Sequence, residues 1–106
     1  MDLHLDAEIR VNNQRHAGIV IKDGKILLME RKKNGYEYWV IPGGHLQQGE
    51  DPMKVVLREI FEETHIKAKD PKLVFEFRDY EKDNFDYYYI CEYHSGVIEL
   101  GGEEAI

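Results

Sequence analysis

The segment from Gly44 to Ile66, GGHLQQGEDPMKVVLREIFEETHI from Gly43 onward, constrains this chain more than any other. Asp51 is a good N-cap and Pro52 suits a first helical position, so a helix is expected to start there. Met53, Val56, Leu57, Ile60 and Phe61 then fall on one arc and are expected to face a core. Glu59, Glu62 and Glu63 stand at i, i+3 and i+4, within one narrow arc on the other side. That placement works against stability. Each acid near a helix C-terminus costs about 0.3–1 kcal/mol against the helix dipole. Like charges at i, i+4 add about 0.2–0.5 kcal/mol. The sum, about 1–3 kcal/mol, is a large share of the roughly 5–15 kcal/mol that hold a domain together. Within the helix only Arg58, four residues before Glu62, offers compensation. A divalent cation would reverse the sign, because carboxylate oxygens are what Mg2+ and Mn2+ prefer.

Three acids alone also describe a solvated helix face, and the residues ahead of them argue otherwise. Trp39-Val40-Ile41-Pro42 reads as a strand ending at a turn, Gly43-Gly44. A glycine pair permits positive φ and lets a ligand approach the main chain. A bare turn, a loop and an acidic helix therefore follow one another, which is how carbonyl and carboxylate oxygens can be made to converge.

The spacing from Gly44 through Glu50 to Arg58-Glu59-Ile60-Phe61-Glu62-Glu63-Thr64-His65-Ile66 resembles the Nudix box, the signature of the Nudix hydrolases. Many fixed positions at fixed spacing make it a specific signal. His65 stands where the family pattern has glycine. Histidine tolerates the left-handed region and, as a cation, suits a helix C-terminus. It is expected to serve as a cap, and the acidic positions of the box are all present. The other reading, an eroded box, goes with a non-catalytic module that binds a nucleotide or an ADP-ribose derivative.

The resemblance implies an α/β (α+β) fold, an α/β/α sandwich on a mixed sheet, and metal-dependent hydrolysis of a nucleoside diphosphate linked to another moiety. It implies Mg2+ or Mn2+ held by Glu62 and Glu63, with Glu59 as a further ligand or the base that deprotonates water. Arg58 would orient these carboxylates. Gly43 would offer its carbonyl to the metal, Gly44 would shape the turn, and Glu50 would be an auxiliary ligand or a partner for Arg58. The base can also come from a loop, for which Glu81, Asp83, Asp86, Glu103 and Glu104 are candidates. Diphosphate oxygens cannot enter an acidic patch without cations, so charge and family agree.

The remaining sequence bounds the answer. One hundred and six residues, 42% hydrophobic, fit a single domain over residues 1–106. A formal charge of −7 argues against a nucleic acid duplex and against an anionic membrane as partner, and leaves a small nucleotide-type substrate open. The single cysteine, Cys91, lies in an apolar strand pattern and reads as core. With no apolar run near 18 residues and no leader, the chain is expected to be cytoplasmic. Strands are expected at Leu3–Val11, Ala17–Lys22, Lys25–Arg31, Tyr36–Ile41, Leu73–Tyr80, Phe85–His94 and Val97–Leu100, with a tight hairpin at Asp23-Gly24. Lys32-Lys33-Asn34-Gly35 reads as a connection, and Lys82-Asp83-Asn84 as a turn. Tyr36, Tyr38, Tyr80, Phe85, Tyr87 and Tyr89 are candidates to stack on a base, although aromatics also fill strands. His4, His16, His45 and His94 lack zinc-ligand spacing. The chain ends at Gly101–Ile106 without sequence for the family's C-terminal helix, so either the domain is C-terminally truncated or a partner chain covers the sheet face; an open apolar face is expected to favour a homodimer or to compromise the fold.

Overall fold

A computed structural model describes residues 13–98. The strands are β1 (Gln14–Lys22), β2 (Lys25–Ile26), β3 (Met29–Lys33), β4 (Tyr36–Val40), β5 (Gly43–His45), β6 (Lys67–Asp79) and β7 (Asn84–Ser95). The described helix is α1 (Pro52–Thr64), between β5 and β6. The fold is α+β, as expected. β1 and β7 run parallel at the centre of a mixed sheet, with β6 antiparallel on the outer side of β7. The other edge of β1 is shared, since β5 pairs with Arg15–Ala17 and β2 with Ile21–Lys22. β3 and β4 form a separate two-stranded hairpin.

Both tight hairpins follow from two-residue turns. Asp23 and Gly24 have φ of 54° and 74°, and Asn34 and Gly35 have 52° and 81°. Positive φ at both central residues is the turn whose twist matches paired strands. Asn34-Gly35 is therefore the whole turn, and Lys32 and Lys33 belong to β3 instead of the connection expected from their charge. The run Lys25–Arg31 is split at Leu27-Leu28, because β2 and β3 belong to different sheets. β6 starts at Lys67, six residues before the expected Leu73. Its first half is charged and carries Pro71, which an edge strand tolerates beside a bulge; the register with β7 slips between Lys69 and Lys72. Val97 and Ile98 are not in a strand; Leu3–Val11, residues 99 and 100, His4, Glu103 and Glu104 lie outside the described residues.

Helix α1 begins as its sequence dictates. The Asp51 carboxylate accepts from Met53 N–H at 3.0 Å, with Pro52 next to the cap. It ends at His65, with φ 61° and ψ 18°, whose N–H donates to Phe61 O at 2.8 Å. Histidine fills the position that usually takes glycine.

The buried face differs from the expected one. Val55, Val56 and Ile60 are fully buried, whereas Met53 and Phe61 are 48% and 43% exposed. The reason lies in the strand below. A Cβ on Gly18 would fall 2.4 Å from Ile60 Cδ1 and 2.8 Å from Val56 Cγ1, so this row of the helix rests on bare β1 backbone. Phe61 is left to meet the His65 ring edge-on at 6.1 Å and the Lys67 ammonium at 5.9 Å. The core gathers Val20, Leu27, Val56, Ile60, Ile66, Tyr89 and Cys91. Burial pushes the Cys91 thiol up to about 11, in keeping with a packing residue.

Adding one methyl group at Gly18 should therefore be costly. Gly18→Ala is expected to destabilise the chain by about 1–3 kcal/mol through overpacking, read as a lower midpoint in urea. An unchanged midpoint would show that Ile60 and Val56 have room to retreat.

Candidate active site at the end of the helix

The row of α1 beside Ile60 meets β5. Gly43 and Gly44 were expected to form a turn with freedom of φ, but they are strand residues paired with Ala17 and His16. Neither has a positive φ among the described glycines. Their bareness serves close approach instead. A Cβ on Gly44 would lie 2.5 Å from Glu59 Cδ and 2.7 Å from Glu59 Oε1. On Gly43 it would lie 2.5 Å from His16 O and 2.6 Å from Ala17 Cα. The Glu59 side chain thus lies close against Gly44. Gly43 N–H donates to Glu63 Oε1 at 3.0 Å.

Arginines hold the acids in place. Arg58 Nη1 donates to Glu50 Oε2 at 2.6 Å, and its guanidinium lies 3.5 Å from Glu59 Oε1 and 3.7 Å from Glu62 Oε1. Glu50 also accepts from Gln47 N–H at 2.9 Å, which closes the loop before α1. Glu50 is thus a hydrogen-bond partner of Arg58, which is one of its two expected roles. Hydrogen bonding to Arg58, then to Gln47, lowers its pKa. Pairing with Glu50 raises that of Arg58.

Glu63 has a second partner that the local sequence did not reveal. Arg31 Nη2, on β3, donates to Glu63 Oε2 at 3.0 Å. Only 16% of the Glu63 side chain is exposed, against 57% for Glu62. Burial raises the Glu63 pKa, and the nearby charge of Glu59 adds to this; Gly43 N–H, Arg31 and Arg15 oppose it.

Beside these groups is a cavity of about 450 Å3, lined by Arg15, Arg31, Tyr38, Trp39, Tyr88 and neighbouring backbone. It lies between the β3–β4 hairpin and the main sheet. Alternation along β1 and β7 puts Arg15 and Tyr88 on the face opposite α1. Arg15 is anchored by donating to Ile41 O at 2.7 Å. Of the six aromatic candidates, Tyr38 alone lines this cavity. Tyr87 and Tyr89 pack around buried His16, with ring centroids 4.7 and 5.7 Å away. Phe85 is buried against Tyr80, and Tyr36 stands exposed beside its turn. Arg15, Arg31, Trp39 and Tyr88 were missed because nothing local distinguishes them from ordinary strand residues.

Carboxylate oxygens are the donors that a hard cation prefers, and the charge of Glu59 raises the proton affinity of Glu63. Among the described residues, no three His, Cys, Asp or Glu side chains converge into a ready-made cage. Arg58 and Arg31 take up the charge that a cation would otherwise balance.

The NUDIX domain model matches residues 12–105. The chain belongs to the Nudix family. It is 32% identical over 88 residues to a MutT-like protein of Streptomyces ambofaciens, spanning 82% of this chain and 56% of that one. It is 39% identical over 67 residues to an ADP-ribose pyrophosphatase of Methanocaldococcus jannaschii, spanning 62% of this chain and 40% of that one. A NUDIX hydrolase from Nitrosomonas europaea shares the fold, with a TM-score of 0.73 at 17% identity over 86% of this chain and 52% of that one. The chain thus spans about half the length of the Nudix relatives it matches. Among the described residues, no helix is long and apolar enough to cross a membrane.

The surroundings of Glu63 set a titration expectation. Carboxylate NMR should place its pKa above the usual glutamate range, and Arg31→Ala should raise it further by removing an opposing cation. A raised carboxyl pKa means that the folded state holds the proton more tightly than the unfolded state. Glu63 therefore takes away stability as pH rises from the usual glutamate value through its own, and Glu63→Gln should abolish that part of the pH dependence.

Proposed function

We propose that this Nudix domain hydrolyses a diphosphate linkage in a small nucleotide-type substrate, with Mg2+ or Mn2+ at the end of α1. The observation that carries the reading is the seating of Glu59 on Gly44 and of Glu63 on the Gly43 N–H, beside a cavity with two guanidiniums. The names of the relatives, among them an ADP-ribose pyrophosphatase and an RNA pyrophosphohydrolase, support the same bond type.

Glu59, Glu62 and Glu63 would hold the cation, with the carbonyl of Gly43 as a further donor. A divalent cation there would screen the phosphate charge and make a water acidic enough to attack phosphorus. Arg58 keeps Glu59 and Glu62 aligned and ties them through Glu50 to the loop before the helix. Arg15 and Arg31 receive phosphate oxygens, which planar guanidiniums suit. Tyr38, Trp39 and Tyr88 offer faces to a flat ring. The left-handed cap at His65 leaves the end of the helix intact, so the missing family glycine does not count against catalysis.

The test is a screen of nucleoside diphosphate derivatives, with product identification and ¹⁸O-labelled water to locate the cleaved bond. Turnover that requires Mg2+ or Mn2+ is expected. None across the panel, with the domain folded, would overturn the reading. Glu59→Gln, Glu62→Gln and Glu63→Gln should each lower kcat by on the order of a hundredfold or more. Glu62→Gln should not lower the melting temperature, because it removes an exposed acid from the negative end of a helix.

A further inference from the structure

Arg31 belongs to two places at once. Its guanidinium donates to Glu63 Oε2 at 3.0 Å, and the same residue lines the cavity with Arg15. The cavity lining carries two permanent positive charges and no acidic side chain. The two arginines are held differently. Arg15 is tied to the Ile41 carbonyl, whereas the Arg31 side chain is about half exposed and reaches across from β3 to a carboxylate on α1. Glu63 is also held at two points, with Oε1 on the Gly43 N–H and Oε2 on Arg31. If Arg31 leaves, Glu63 stays positioned by Gly43, and one oxygen comes free.

We propose that Arg31 is a lock shared between the anion cavity and Glu63, so that anion and divalent cation each promote binding of the other. The inference rests on the reading above, in which Glu63 helps to hold the cation. An anion in the cavity draws Arg31 toward it and off Glu63 Oε2, which opens that oxygen to the cation. A cation at Glu63 repels the guanidinium and drives it toward the anion. Such coupling is reciprocal by thermodynamic necessity. Its consequence is economy of states: without an anion the acids stay paired with arginines, and the cation site strengthens when a phosphate-bearing molecule is present. Arg31 acts here as a positioning residue, through the carboxylate that it holds or releases.

Mn2+ binding, followed by the electron paramagnetic resonance signal of free Mn2+, tests this without any turnover. It is measured with and without AMP at matched ionic strength, with Mn2+–AMP association subtracted from a protein-free control. For the wild-type chain, AMP is expected to tighten Mn2+ binding roughly five- to tenfold. Arg31→Gln is expected to bind Mn2+ more tightly than wild type when AMP is absent, and to gain nothing from AMP. Arg31→Lys, which keeps the charge, should stay close to wild type when AMP is absent. Circular dichroism melts confirm that each variant is folded. If Arg31→Gln gains as much from AMP as wild type does, or binds Mn2+ no more tightly without it, the lock is overturned while the cation site stands. If the folded wild type binds no Mn2+ at all, the cation site fails and takes the lock with it.

Discussion

Helix α1 can lie where it does only because the strands beneath it are bare. Gly18 takes the weight of Val56 and Ile60, and Gly44 takes the Glu59 carboxyl; at each point a single Cβ would come within 2.5 Å of a side-chain atom. Gly43 extends this pattern across the sheet, lying so close to β1 that a Cβ would meet the His16 carbonyl and Ala17 Cα. Protein interiors are close-packed and do not absorb an extra carbon cheaply. One steric constraint therefore fixes the height of the helix above the sheet, buries its apolar row, and brings two carboxyl groups onto the main chain of β5.

Once the helix is seated, charge shapes its surroundings. Acids at the C-terminal end of a helix are unfavourable, and partial burial of Glu63 makes its charge more so. The structure answers with cations from two directions. Arg58, on the helix itself, reaches Glu50, Glu59 and Glu62, while Arg31 arrives from the β3–β4 hairpin to meet Glu63. These contacts are largely exposed ion pairs, each worth little in water. Their value lies in orientation: the carboxyl groups keep fixed positions beside a cavity whose own charge is positive. An acidic edge next to a basic cleft is the arrangement on which the proposed function draws.

Much of this was legible locally. Asp51, Pro52 and His65 mark the ends of α1 because caps depend on one or two residues and on φ and ψ. Asp23-Gly24 announced its hairpin for the same reason. Asn34-Gly35 carried an equally strong signal, but the charged residues before it were read as a connection, and a strand on a separate hairpin does not need an apolar face. The buried arc of α1 was misjudged at Met53 and Phe61 because apolar character alone cannot say which row will find a glycine beneath it. The charged first half of β6, Lys67 to Lys72, escaped notice because an edge strand with bulges does not have to alternate.

By itself, the sequence determined the helix, its ends, its crowded acids and the glycines before it, and through their spacing the Nudix family, because each of these depends on neighbours a few residues away. Only the tertiary structure decided that the glycines act by absence of bulk instead of by freedom of φ, and that Arg31, 32 residues before Glu63, is its partner. It also decided that Arg15, Trp39 and Tyr88 share one cavity. Those facts depend on which backbone passes under which side chain, a relation between distant segments that exists only once the sheet has formed.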